Sequence, residues 1–287
     1  MEKIRYSDIE GCLRLTNGEI EVVVTTEIGP RIVGYSFVGE ENVLGLHPQA
    51  KVETELGTWK PIGGHRLWIA PEKMPDSYAP DNAPVEHFYD AEKNSLRLIQ
   101  AVEPVSKTQK EITITLDEQG SGVSINHRIT NRGTEEIELA AWALTIMRGG
   151  GEAFIPNEPF APYGGKTLLP VRNLTLWSYT DLSDSRWSFD DEFIRLRVDE
   201  SKPDPQKIGV LNRQGWVKYK VGDLVFTKRF DSVENAVYPD MNSNTEIYTA
   251  GWFIELETLS PLRRLTPCDS IEHSEYWQLV RDETKAA

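Results

Sequence analysis

Polar and apolar side chains alternate with a period of two over most of this chain, and no stretch of a dozen residues keeps the three-to-four-residue apolar period of an amphipathic helix. Successive side chains of an extended strand point to opposite faces, so this alternation calls for half-buried strands and leaves no material for a helical layer. Residues 19–28 (EIEVVVTTEI) and 31–39 (RIVGYSFVG) flank Gly29-Pro30 and predict a hairpin. Segments 111–116, 123–130 and 136–147 alternate in the same way, with Asn131-Arg132-Gly133-Thr134 as turn chemistry before the last of them. Further strands are expected at 193–198, 207–211, 215–220, 224–230, 246–258 and 271–280. The reading is all-β: a large antiparallel sandwich, expected to form one domain over residues 1–287, because no repeat, low-complexity tract or linker interrupts it. Segment 199–206 (DESKPDPQ) reads as a polar surface loop.

Two stretches, 59–90 and 148–192, are rich in Gly, Pro, Asn and aromatic residues and are expected to be long ordered loops, where binding residues concentrate. With 45 acidic against 31 basic residues the formal net charge is −14. Binding to a polyphosphate backbone rests on Lys and Arg contacts, so nucleic acid is not an expected partner. No run approaches the roughly 20 apolar residues of a membrane helix, and no basic-then-apolar leader opens the sequence, so no membrane association and a cytoplasmic setting are expected. Cys12 and Cys268 stand alone and form no zinc or redox motif. Phosphate-cradle, dinucleotide, nucleophile-elbow and zincin patterns are absent, and the histidines lack metal-ligand spacing, so neither a metal nor a cofactor is expected. His127, between Asn126 and Arg128, is read as facing outward.

Three segments combine residue types that do chemistry. In 251–262 (GWFIELETLSPL), alternation places Phe253, Glu255, Glu257 and Leu259 on one face. Two carboxylates about 7 Å apart along a strand repel if buried, which raises one pKa and suits an acid or base. The bland alternative is a solvated outer face. In 61–72, the pair Gly63-Gly64 lets the backbone turn sharply, and His65, Arg66, Trp68 and Glu72 follow. An aromatic plate with charged forks is how sugar rings are held, although a turn satisfying its own carbonyls would look similar. The third segment, 238–246, carries Asp240 and Asn242, either as ligands or as an ordinary Asx-rich turn.

These residues resemble a known family. Ile28-Gly29-Pro30-Arg31-Ile32 looks like the G-G-R-I opening of galactose mutarotase-like proteins, and Gly63-Gly64 through Pro71 resembles the G-G-x-P-x-x-W-P loop of the hexose-phosphate mutarotase branch. Leu256-Glu257-Thr258 resembles the L-E-T of aldose 1-epimerases, and Pro261 to Trp277 their closing strand. The resemblance implies a β-supersandwich over nearly the whole chain and implies that Glu257 is the general base. The family's acid is a His following a T-N-x-G run; Thr130-Asn131-Arg132-Gly133 reproduces that run, but Trp142 stands near the place of the His. An indole cannot donate and recover a proton, so His65 becomes the candidate acid. Trp142, with Trp68 or Trp177 opposite, becomes a stacking wall for a sugar ring.

The reading that follows is a carbohydrate-active protein, acting as a mutarotase-like isomerase with Glu257 as base and a small-molecule carbohydrate as partner. The alternatives are a lyase or hydrolase using the Glu pair, a non-catalytic carbohydrate-binding protein, and a structural protein whose charged face is only solvated. Arg66, Lys207, Lys228 and Arg229 would serve a phosphorylated sugar only if they converge. The oligomeric state is left open.

Overall fold

The computed structural model of the protein describes residues 1–164 and 168–282. Among these residues every strand pairing is antiparallel, and the strands fall into two large sheets and two small two-stranded ones. One large sheet runs in the order Glu2–Tyr6, Ile9–Thr16, Ile20–Thr25, Ile32–Phe37, His65–Ala70, Ile137–Met147, Phe253–Leu259, Thr245–Ala250, Gln206–Val210 and Thr175–Leu176. The other centres on Thr108–Leu116, Val123–Asn131, Ser270–Arg281, Leu224–Phe230 and Trp216–Val221. Alternating side chains such as Val22, Val24, Ile125, Ile129, Phe226 and Leu279 meet between the sheets in one apolar cluster. No helix among the described residues is long and apolar enough to cross a membrane.

The hairpin expected at 19–39 forms, with Ile20 opposite Phe37 and Val23 opposite Gly34. Two expectations are corrected. Residues 246–258 are not one strand but a hairpin, Thr245–Ala250 returning as Phe253–Leu259 through Gly251 at φ 60, a left-handed turn position that favours glycine. Region 59–90 is not only loop. Its His65–Ala70 segment is a central strand, buried on both sides between Ile32–Phe37 and Ile137–Met147, and buried positions on both faces erase the alternation that marks a half-buried strand. The glycines before it serve backbone packing. Gly63 and Gly64 have φ of 95° and 69°, and a Cβ on Gly64 would stand 2.1 Å from the Ile32 carbonyl oxygen.

His127 is corrected as well: it is fully buried. It shares parity with Val123, Ile125 and Ile129, and that apolar stripe faces the opposite sheet. His273, Glu275 and Lys228 lie on apolar stripes in the same way, so a polar layer crosses the middle of the sandwich. Cys12 is buried, Cys268 is exposed, and both are free thiols.

Candidate functional site

The central strands turn their second face outward onto a cavity of about 520 Å³. Because parity alternates, His65–Ala70 presents Arg66 and Trp68 there, Ile137–Met147 presents Trp142 and Leu144, and Phe253–Leu259 presents Glu255 and Glu257. Gln206–Val210 adds Lys207 and Thr245–Ala250 adds Tyr248. Trp177 and Glu72 close the walls from loops, and five of the eight tryptophans of the chain line this one cavity. Three of them, Trp59, Trp68 and Trp142, also pack on one another in a buried apolar cluster behind the cavity wall. A volume in this range accommodates a small ligand with most of its surface buried.

Glu257 is 1% exposed. Its Oε2 accepts from the Trp142 indole N–H at 2.8 Å and from Lys207 Nζ at 2.9 Å, while its Oε1 has no hydrogen-bond partner. Both partners of Oε2 donate only, so the carboxylate is fixed as an acceptor, with its other oxygen buried and without a protein donor. Lys207 also stands 2.7 Å from Glu246 Oε2 and sits over the rings of Trp142 and Trp177, 4.9 and 4.7 Å from their centroids. Burial alone would lower the Lys207 pKa, but Glu246 and Glu257 overcome it and hold the ammonium well above its usual value.

Glu255 lies two residues before Glu257 on the same face. Its nearest cation is Arg66 Nη2, at 4.0 Å, and neither of its oxygens accepts a hydrogen bond among the described residues. Burial pushes the Glu255 carboxyl up to about 7, with Arg66 opposing and the charge of Glu257 adding to the rise. The Arg66 guanidinium is clamped by Trp68 and Trp59, 4.2 and 4.7 Å from their centroids, and its Nε and Nη1 have no partners.

The structure brings together Glu257, Glu255, Arg66, Trp68, Trp142, Trp177 and Glu72 from the sequence-derived set. It does not bring in His65. Parity turns that imidazole to the opposite side of the strand from Arg66, into the interior between the sheets, where it is fully buried. There the His127 Nδ1 faces the carbonyl of His273, which only accepts, so Nδ1 carries the proton. His127 Nε2 then accepts from His65 Nε2–H at 2.7 Å, and His65 Nδ1 accepts from the Thr145 hydroxyl at 2.8 Å. Both ring nitrogens of His65 are thereby committed, and burial holds its pKa well below the ordinary histidine value.

Asn242 is likewise a turn residue: its side-chain oxygen accepts the backbone N–H of Tyr238. Asp240 sits half-buried beside this site, outside the cavity wall, with burial raising its carboxyl above the ordinary value. The four cations considered for a phosphate do not converge, since Lys228 pairs with Glu275 inside the sandwich and Arg229 lies on its outer face. His65, His127 and Glu275 offer three ligand atoms all within 4.8 Å of one another, a grouping the sequence spacing did not reveal. Their atoms are already spent: Lys228 Nζ and the Thr258 hydroxyl donate to Glu275 Oε1, and the Trp277 N–H donates to Oε2 at 2.8 Å. The central residues missed by sequence reasoning are Glu246, Tyr248 and the pairing role of Lys207. Each is a single polar residue in an alternating strand, and only pairing across strands makes it part of a site.

This antiparallel two-sheet architecture is that of the galactose mutarotase-like β-sandwich fold, and solved structures of that kind superpose on this chain. A galactose mutarotase-like protein from Lactobacillus casei matches with TM-score 0.57 at 10% identity, over 94% of this chain and 100% of its own. A galactose mutarotase related enzyme from Lactobacillus acidophilus matches with TM-score 0.51 at 9% identity, over 94% and 97%. A TPR-domain containing protein from Parabacteroides distasonis matches with TM-score 0.62 at 12% identity, over 93% of this chain but 46% of that longer one. No protein-family profile matches the chain, and no curated protein matches it in sequence. At these identities the likeness establishes the fold.

Proposed function

We propose that the cleft binds a carbohydrate and that Glu257 is the general base of an aldose 1-epimerase-like reaction, the interconversion of the anomers of a reducing sugar. The observation that carries this reading is the state of Glu257. It is a buried carboxylate, one oxygen held by Lys207 and Trp142, the other uncommitted in a cavity walled by indoles. Indole faces pack against the C–H face of a pyranose, while Arg66 and the carboxylates supply directional bonds to its hydroxyls. Base catalysis at the anomeric hydroxyl needs a lone pair at hydrogen-bond reach in a site that excludes bulk water, and the buried, partnerless Oε1 of Glu257 supports that role.

The test is anomer interconversion of freshly dissolved aldoses followed by polarimetry, beside ligand-induced thermal shifts. Acceleration by the wild type that Glu257→Gln lowers by about 100-fold or more supports the reading. Thermal shifts without turnover would make the protein a non-catalytic sugar binder, and no shift with any sugar would remove the carbohydrate assignment altogether.

A further inference from the structure

The geometry points to Glu255 as the general acid that partners Glu257, a role that rests on the reading above. Ring opening of a pyranose needs two proton transfers: one from the anomeric hydroxyl and one to the ring oxygen. Trp142 cannot supply the second, because its N–H is bound to Glu257 and an indole does not cycle a proton at neutral pH. His65 cannot supply it, because it lies on the other side of the sheet with both ring nitrogens engaged. Glu255 stands on the same strand and face as Glu257, about 7 Å away by strand rise. A ring held between the two carboxylates presents its anomeric hydroxyl to one and its ring oxygen to the other.

The groups that face Glu255 are Arg66 from His65–Ala70, one strand beyond Ile137–Met147, Glu257 on its own strand, Tyr248 directly opposite across the hairpin, and Lys207, Glu72 and Tyr78 further around the cavity. Tyr248 is pushed up to about 12 by burial, too weak an acid to compete. Lys207 is committed to Glu246 and Glu257, and Glu72 accepts the Tyr78 hydroxyl. Of these three glutamates, Glu255 is the one that accepts no hydrogen bond among the described residues, its nearest cation being Arg66 at 4.0 Å, and burial raises its carboxyl to about 7, where it still holds its proton in part at neutral pH.

The step balances without any co-reactant. Glu257 takes the proton of the C1 hydroxyl, and the O–H electron pair becomes the second bond of the C1 carbonyl. The C1–O5 bond breaks with its electron pair going to O5, which takes the proton of Glu255. After rotation about C1–C2 the reverse sequence closes the other anomer and returns both carboxyl groups to their starting states.

The experiment measures anomer interconversion of α-D-glucose and α-D-galactose by polarimetry across pH, for wild type, Glu257→Gln, Glu255→Gln and Glu255→Asp. The sugar-induced thermal shift of each protein confirms a folded, binding-competent site. The expected result is a loss of about 100-fold or more in Glu255→Gln with the thermal shift retained, and partial recovery in Glu255→Asp. The wild-type rate should also fall as pH rises through about 7, as Glu255 loses its proton. A Glu255→Gln protein with wild-type rate, beside an inactive Glu257→Gln protein, overturns the acid assignment and leaves the proposed function standing. No acceleration by the wild type overturns the proposed function, and the acid role with it.

Discussion

Keeping a carboxyl buried near neutrality has a cost in stability that can be measured without any substrate. In the unfolded chain Glu255 should titrate at about 4.3, whereas in the folded protein it is raised to about 7. A raised pKa means that the folded state holds the proton more tightly. The contribution of this group to stability is therefore fully present below the unfolded pKa and is lost as pH climbs through the folded one. At about 1.4 kcal/mol per pKa unit the difference amounts to about 3–4 kcal/mol. Glu255→Gln keeps the shape and removes the titration. The stability of the variant relative to wild type should therefore grow by about 3–4 kcal/mol between about pH 4.5 and about pH 8 and level off above. Urea unfolding followed by tryptophan fluorescence at a series of pH values gives this difference. The titrations of the buried histidines and of Glu246 are common to both proteins and cancel. A difference that is flat with pH, or that favours wild type as pH rises, refutes the reasoning, because a carboxyl that ionises freely in the cleft cannot act as its acid.

Other expectations concern the scaffold. Lys228→Met should cost about 3–5 kcal/mol, because it strands the fully buried Glu275 without its ammonium; adding Glu275→Gln should recover most of that in a double-mutant cycle by urea unfolding. His65→Ala should destabilise by about 1–3 kcal/mol through the orphaned His127 Nε2 and Thr145 hydroxyl, yet leave anomer interconversion intact under conditions where the variant is folded. Met241 is exposed and left-handed at φ 55, so Met241→Gly should stabilise the protein by about 1 kcal/mol, read as a higher melting temperature.

Parity is a local property, and wherever the sequence displays it the outcome could be read in advance. Alternation alone put Glu255 and Glu257 on one face, Lys228 and Arg229 on opposite faces, and identified an all-β chain. The same rule placed His127 with Val123, Ile125 and Ile129, and the misreading of that residue came from judging it by its polarity instead of its position. His65–Ala70 escaped notice because both of its faces are covered, and a strand polar or aromatic on one covered face carries no alternation to read.

Which parity looks inward, and what it meets there, belongs to the tertiary structure. Nothing local distinguishes the side of His65–Ala70 that enters the sandwich from the side that lines the cleft; the opposing sheet decides, by supplying His127 as a partner for His65. Lys207 and Glu257 are 50 residues apart and become an ion pair only when the hairpin turning at Gly251 sets their strands near each other. Strand identity follows from backbone sterics and side-chain period within a few residues, whereas ionisation depends on burial and on charges brought close through space. For that reason the chain by itself named the two carboxylates, and only the packed sheets assigned one to the ammonium and buried the other without a hydrogen-bond donor.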